Sequence, residues 1–188
     1  MIKAVVLVLA FVMSAVAVQA QKAADFSGKW NLDKAQSKMD ERMAASIESM
    51  TMTVTQSATE LTVANATKRV APPAGAPAGG PPGGGGGGGG RMGGGGGDTT
   101  TKYTLDGKET AVETEGQMGK SVAKYKATVE GSKATLSTSR TFSTPQGEMT
   151  QTNKDVWTLS GDGKTLTVNR ETTSARGSSS STLVFTKG

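Results

Sequence analysis

One recurring spacing of apolar residues constrains the fold of this chain most. Two apolar residues lie seven positions apart on either side of a polar turn, and the pattern occurs five times. An odd separation around a two- or four-residue loop puts both residues opposite each other on one face of a hairpin. The spacing therefore predicts successive antiparallel hairpins. The pairs are Val54 with Leu61, Leu105 with Val112, Val129 with Leu136, Phe142 with Met149 and Leu159 with Leu166.

Alternating segments between turn residues give the number of strands. We predict about ten, because Val, Thr and Ala alternate with polar residues between Gly-containing turns. Successive hairpins form a meander, and a meander that hides its edges closes into an up-and-down barrel. An all-β antiparallel barrel is thus predicted, with a β-sandwich as the alternative. The strands are expected near 26–32, 50–56, 60–69, 99–105, 109–115, 120–129, 133–142, 148–159, 164–173 and 181–186.

The first predicted strand contains two residues with an expected structural role. Phe26, Gly28, Trp30 and Leu32 share one face, because side chains alternate along a strand. Gly28 beside the large indole of Trp30 indicates a close backbone approach or a bend. We therefore predict that the rest of the barrel closes against this strand.

The segment 33–50 has the spacing of a helix. Met39, Met43 and Ile47 recur every four residues, which aligns them on one helical face. Ser37 is a suitable N-cap, with acidic residues following in the first turn. We predict one short helix after the first strand, lying as a lid over the core. Its methionines would serve core packing or, as the alternative, a pliable ligand gate.

The chain begins with the layout of a secretory signal peptide. Lys3 supplies a positive start, residues 4–13 are apolar, and Val18-Gln19-Ala20 provides a small-residue cleavage site. The apolar run is too short for a membrane span. These features predict that residues 1–20 are removed and that the mature chain, from Gln21, is exported to the bacterial periplasm or the outside of the cell.

Glycine and proline dominate the segment 71–98. It contains five of the six prolines and becomes mostly glycine around Arg91. Such a composition buries too little apolar surface to become ordered. Residues 21–70 offer too few elements for an independent core. We therefore predict one domain over 21–188, with 71–98 as a disordered loop insertion.

Composition excludes several kinds of chemistry. The chain has no cysteine and no histidine, which removes disulfides, thiolate chemistry and the commonest general base and metal ligand. Its acidic residues form no pair with catalytic spacing. The net charge of +5 is spread along the chain and points to no nucleic-acid partner. We predict no enzymatic activity, no metal and no cofactor.

Strand parity identifies the candidate ligand-binding residues. Around the turn at 162–163, Trp157 is predicted opposite Val168, and Asp155 opposite Arg170. Around the turn at 131–132, Tyr125 is predicted opposite Arg140. Both arginines thus share faces with apolar residues. One interpretation is structural, with Arg170 paired to Asp155 and Arg140 hydrogen-bonded to Tyr125. The other is a site for the carboxylate of a ligand, formed by Arg140, Arg170, Tyr125 and Trp157.

Several motifs resemble one superfamily. The sequence Phe26-Ser-Gly-Lys-Trp-Asn-Leu resembles the Gly-x-Trp opening of calycins, which include lipocalins and fatty-acid-binding proteins. The segments 103–109 and 156–168 resemble secreted bacterial lipocalin-like proteins of unknown function. The Arg-x-Tyr carboxylate clamp of fatty-acid-binding proteins is replaced here by Leu183-Val184-Phe185.

The resemblance implies a function for the barrel. We expect a non-catalytic protein that binds a small apolar or amphipathic ligand. The alternative is an envelope or surface protein with a solid core and the glycine-rich loop as a spacer or contact. An interior cavity favours the first function, and an interior filled by bulky side chains favours the second.

Overall fold

The structure is a computed structural model that describes residues 23–70, 99–116, 119–144 and 147–188. It contains ten antiparallel strands and one short helix, which confirms the predicted all-β class and the strand number. In chain order the elements are β1 (Gly28–Lys38), α1 (Glu41–Ser46), β2 (Ile47–Gln56), β3 (Glu60–Arg69), β4 (Thr99–Thr104), β5 (Thr110–Gly116), β6 (Gly119–Glu130), β7 (Lys133–Thr144), β8 (Gly147–Leu159), β9 (Thr165–Ser174) and β10 (Gly177–Lys187).

The strands form one sheet that curls into a nearly closed barrel. Their order is β4-β3-β2-β1-β10-β9-β8-β7-β6-β5, so the first and last strands of the chain pair with each other. Trp30 of β1 lies opposite Lys187 of β10. In the part of the chain that the structure describes, β4 and β5 occupy the two ends of this order. The β-sandwich alternative is wrong, because all ten strands belong to one sheet.

The hairpin registers agree with the predicted spacing at only two of the five turns. Phe142 pairs with Met149 and Leu159 with Leu166, as predicted. Val54 pairs instead with Val63. The other two pairs are also wrong: Ala127 takes the place of Val129 opposite Leu136, and no ladder joins Leu105 to Val112 among the described strands.

The turn between β6 and β7 gives the reason for one of these shifts. Glu130 pairs with Lys133, so only Gly131 and Ser132 form the loop. Gly131 has φ of 55°, the left-handed region that two-residue hairpin turns require and that glycine adopts readily. The shift is two residues, which leaves every side chain on its predicted face while changing its partner.

The predicted helix over 33–50 is wrong in extent. The helix is α1, only six residues long, and its N-cap is Asp40, whose side chain accepts a hydrogen bond from the Met43 N–H. Ser37 belongs to β1, where its hydroxyl accepts from the Val184 N–H at 2.9 Å. Ile47 begins β2. Pairing of β1 with β10 thus overrides the helical spacing of this segment, and no residue of α1 is buried.

The apolar core occupies one end of the barrel, which we call the apolar end. Residues 23–27 cross this end before β1 begins, and Gln56 accepts from the Phe26 N–H at 3.0 Å. The Phe26 ring meets the Trp157 ring edge-on, with centroids 5.9 Å apart. The buried core residues are Phe26, Trp30, Met52, Val54, Leu61, Val63, Tyr103, Ala127, Ala134, Leu136, Trp157, Leu166, Val168, Leu183 and Phe185.

Gly28 and Trp30 are in close contact with the end of β10. Gly28 has φ of 140°, and a Cβ built on it would lie 2.7 Å from Lys187 Cε. The Lys187 ammonium lies 5.2 Å from the centroid of the Trp30 ring. The Trp30 indole donates to the Phe26 carbonyl at 2.9 Å. Gly28 therefore leaves room for the lysine stem that covers Trp30.

The glycine-rich segment 71–98 lies outside the described residues, and so does the predicted signal peptide. The flanking strands nevertheless define what the segment connects. β3 and β4 pair directly, with Asn65 opposite Thr99. The segment therefore joins two neighbouring antiparallel strands.

Removing most of this segment should leave the barrel folded. Loop-closure entropy grows only with the logarithm of loop length, so deleting residues 74–96 should change the free energy of unfolding by about 1–2 kcal/mol. Urea unfolding of the deleted and full-length proteins measures the difference. Loss of the cooperative transition in the deleted protein would contradict the single-domain organisation.

Candidate functional site

The inner face of the barrel changes from apolar to polar along the strands. On β9 the inward positions are Leu166 and Val168, which are buried, followed by Arg170 and Thr172. On β8 they are Trp157, then Asp155 and Asn153. The apolar end is therefore followed by a layer of polar side chains facing the interior. This layer begins with Arg170 and Asp155, which strand parity predicts to lie opposite each other.

Arg170 and Asp155 form a bidentate ion pair. The Arg170 Nε donates to Asp155 Oδ1 at 2.8 Å, and Nη2 donates to Oδ2 at 2.6 Å. The side chains are 33% and 13% exposed, so solvent still reaches the guanidinium. Burial opposes the charged form of Arg170, but the hydrogen bonds and charge of Asp155 outweigh it and hold the pKa of Arg170 above its usual value. The guanidinium of Arg170 and the carboxylate of Asp155 are therefore already paired with each other.

Tyr103 of β4 completes the layer from the far side of the barrel. Its hydroxyl lies 3.2 Å from the Thr138 hydroxyl of β7. Its ring meets the Tyr125 ring edge-on, with centroids 5.8 Å apart. Burial is the main cause that raises the pKa of Tyr103, so the phenol stays neutral at ordinary pH. Tyr103 thus contributes a neutral hydroxyl beside the ion pair.

A second polar pair lies one inward position further from the apolar end. The Thr172 hydroxyl donates to Asn153 Oδ1 at 2.7 Å. Asn153 is also opposite Thr138, so these side chains lie next to the hydroxyl of Tyr103. The interior at this level is lined by neutral hydrogen-bonding groups.

A cavity of about 50 Å³ lies where the apolar and polar parts meet. This volume holds about three to five water-sized groups, since one water needs roughly 10–15 Å³. One third of the Arg170 side chain is exposed, so the cavity communicates with solvent. The lining combines apolar residues (Met50, Met52, Val63, Leu136, Trp157, Val168, Leu183, Phe185) with polar ones (Asn65, Thr101, Tyr103, Asp155, Arg170).

Trp157 lines this cavity and also carries an unsatisfied hydrogen-bond donor. The residue is 2% exposed, and its indole Nε1 has no hydrogen-bond partner among the described residues. Buried polar groups are normally paired, because an unpaired one loses its bond to water without replacement. The Trp30 indole, by contrast, is satisfied by a carbonyl. The Trp157 N–H is therefore a buried donor without a partner among the described residues, at a cost to the stability of the core.

Arg140 has a different cross-strand partner from the one that strand parity predicts. The register places it opposite Ala123 and Gln151, so the predicted pairing directly opposite Tyr125 is wrong. Its partner changes because the β6–β7 loop consists of Gly131 and Ser132 alone, which sets a register two residues away from the predicted one. Arg140 lies four residues along β7 from Leu136, which is level with the Arg170 pair. At about 3.3 Å per residue, the Cα of Arg140 is about 13 Å along the strand from that level.

The described residues offer no group of three or more acidic, histidine or cysteine side chains arranged to hold a metal ion. Within the same residues, α1 is the only helix, and no helix has the length and apolar character needed to cross a membrane.

Sequence parity missed three parts of this site. Tyr103 lies on β4, which the hairpin pattern cannot place opposite β7 across the barrel. Extending the parity that indicates Arg170 by two residues would have predicted Asn153 and Thr172 as well. The unsatisfied Trp157 N–H has no sequence signature, since every tryptophan carries the same donor.

Comparison with known proteins yields one structural likeness. Neither family models nor curated proteins match the chain. A crystal structure of the zebrafish ileal bile acid-binding protein in complex with cholic acid is similar to it, with 18% identity and a TM-score of 0.46, over 87% of this chain and 98% of that one. At these values the likeness does not show what this chain binds.

Proposed function

We propose that this protein is a non-catalytic barrel that binds a small amphipathic molecule, with one end of the ligand in the interior cavity. The observation that supports it is the mixed lining of that cavity. Apolar side chains such as Leu136 and Phe185 face polar ones such as Tyr103 and Arg170. Ligand sites typically combine an apolar surface with a few placed polar groups.

The size of the cavity limits how the ligand is held. Whole-ligand pockets usually measure roughly 300–1,000 Å³, and this cavity of about 50 Å³ admits only one end of a ligand. Met50 and Met52 line it, and methionine side chains repack readily because they are unbranched. The ligand therefore inserts one end and displaces methionine side chains to accommodate the rest.

Filling the cavity should abolish binding. Thr101 lines the cavity, and Thr101→Leu places a larger apolar side chain there. Thr100 is exposed on the same strand, so Thr100→Leu is the matched control. In titrations with a fluorescent fatty-acid analogue and its neutral derivatives, we expect Thr101→Leu to weaken binding at least about tenfold, and Thr100→Leu to leave it unchanged. If wild-type protein binds none of these probes, or both variants bind equally well, the solid-barrel alternative replaces this proposal.

The proposal includes export, on the strength of residues 1–20 alone. N-terminal sequencing of the protein recovered outside the cytoplasm should then begin at Gln21. That the chain is a secreted bacterial lipocalin-like protein likewise stays a prediction from the sequence.

A further inference from the structure

We propose that the outer face of the barrel carries a second binding site, separate from the interior cavity, for a short acidic saccharide. The inference follows from a polar groove of about 470 Å³ over strands β8, β9 and β10 and the end of β1. It goes beyond the proposed function, because the ligand of the interior cavity takes no part in it.

The strand registers place this groove on the outside of the barrel. Its lining residues on β8, β9 and β10 occupy the positions between the interior ones, so they have the parity opposite to that of the buried Trp157 and Val168. Lys38 of β1 continues the first of two rows, because it lies opposite Thr182. The two rows across the three strands are Val156, Asn169 and Thr182, and then Lys154, Glu171 and Ser180.

The size of the groove suits a whole small molecule. Pockets for such ligands usually measure roughly 300–1,000 Å³, and the groove of about 470 Å³ falls within that range, whereas the interior cavity of about 50 Å³ does not. From β8 to β1 there are three steps between strands, which span about 14 Å. Within this width β10 contributes the short Ser180 and Thr182, while the outer strands contribute the long Lys154 and Lys38. Short side chains between long ones account for the depression.

The polar lining favours a hydroxyl-rich ligand over an apolar one. Val156 is the only apolar residue among the described residues that line the groove, so burial of apolar surface contributes little to binding. The Thr182 hydroxyl donates to Asn169 Oδ1 at 2.9 Å, which leaves the amide nitrogen of Asn169 as a donor. The Ser180 hydroxyl bonds no other described residue. Hydroxyl and amide groups both donate and accept, and so does each hydroxyl of a saccharide.

The charges of the groove favour an acidic saccharide over a neutral one. Arg170 also lines the groove, but its guanidinium is already paired with Asp155. Lys38, Lys154 and Glu171, by contrast, form no ion pair within the described part of the chain. Two lysines and one glutamate give these unpaired groups a formal charge of +1. A ligand carboxylate can therefore accept charge-assisted hydrogen bonds from the lysines, while Glu171 accepts from a ligand hydroxyl.

A matched pair of saccharides tests the proposal. One probe is the trisaccharide of galacturonic acid, and the other is the neutral trisaccharide of galactose. Titrations at neutral pH and low salt follow the backbone amide resonances of residues 154–156, 169–171 and 180–182. We expect the acidic probe to shift these resonances and to bind roughly three- to tenfold more tightly than the neutral one, the scale of two exposed ion pairs. At about 1 M salt the preference should disappear, because charges are then screened within about 3 Å.

Substitutions on the outer face separate the charge of the groove from its shape. Lys38→Gln and Lys154→Gln should each weaken the acidic probe roughly two- to fivefold, and the double variant about tenfold, since distant sites contribute additively. Lys126→Gln is the matched control, because Lys126 is an exposed lysine of β6 outside the groove. Ser180→Phe fills the groove and should abolish binding of both probes, while Thr186→Phe, exposed on the same strand, should not.

The outcomes also distinguish this site from the interior cavity. Neither lysine lines that cavity, so both lysine variants should bind the fluorescent fatty-acid analogue as wild type does. Failure of both saccharides to shift the groove resonances overturns the second site and leaves the proposed function in place. Equal binding of the two saccharides, or equal weakening by Lys126→Gln, overturns the acidic ligand. Loss of fatty-acid binding in the lysine variants overturns the separation of the two sites. Circular dichroism checks that each variant is folded.

Discussion

Replacing Trp30 with alanine is expected to lower the free energy of unfolding by about 3–5 kcal/mol, the range for truncating a large aromatic side chain in a core. Trp30 is fully buried, and it is one of the largest buried side chains. Its indole donates to the Phe26 carbonyl, and the Lys187 ammonium lies over its ring. The substitution therefore removes apolar contacts, one buried hydrogen bond and a support for the segment that crosses the apolar end.

Urea unfolding followed by circular dichroism measures this effect. Asn31→Ala is the matched control, because Asn31 is the exposed neighbour of Trp30 on β1. Exposed substitutions usually change the free energy of unfolding by less than about 0.5 kcal/mol. Trp30→Phe should fall between the two, since it keeps a ring in the core but loses the bond to Phe26. A loss below about 1 kcal/mol for Trp30→Ala would mean that β1 is not the element on which the barrel closes.

Breaking the Arg170–Asp155 pair should also lower the free energy of unfolding by a large amount. Removing one partner of a fully buried pair costs about 3–5 kcal/mol, because the remaining charge is uncompensated. One third of the Arg170 side chain is exposed here, so water screens part of that cost. We expect Arg170→Met to lower the free energy of unfolding by about 2–3 kcal/mol, and Asp155→Leu to do similar harm.

The double variant decides how the pair contributes. If the destabilisation comes from a stranded charge, Arg170→Met with Asp155→Leu should recover most of the lost stability, giving a coupling energy of about 1–3 kcal/mol. Additive losses in the double-mutant cycle would instead show that the two side chains act independently. A guanidinium free to hold a carboxylate ligand would then be the better interpretation.

The faces of the strands could be predicted from the sequence. Side chains alternate with a strict period of two, so any residue with the parity of Trp157 or Val168 must face the same way. The same period predicts that Asp155 and Arg170 share the apolar face. The turn at 162–163 predicts that they lie opposite each other, and the pairing of β8 with β9 agrees. The number of strands could be predicted from the turns, because turn formation also depends on local sequence. Glycine at turns such as Gly163 (φ 68°) adopts a left-handed backbone conformation that few other residues adopt.

Partners across strands needed the structure. A register shift of two residues keeps every side chain on its face, so the apolar pattern cannot distinguish Val63 from Leu61 as the partner of Val54. Only the turn geometry decides, and this is why Arg140 lies opposite Ala123 and not Tyr125. The helical spacing of Met39 and Met43 failed for a related reason: pairing of β1 with β10 joins opposite ends of the chain, and local periodicity contains no information about it.

The site itself belongs to the tertiary structure. Tyr103 meets Thr138 because the sheet curls until β4 faces β7, and the hydroxyls are 35 residues apart in the chain. Whether the interior is open or filled depends on how side-chain volumes from every strand add up, which no single stretch of sequence encodes. The same holds for the indole of Trp157, which lacks an acceptor only because of what surrounds it in the folded barrel. Local chemistry thus determined which way each residue faces, and long-range packing determined what it meets there.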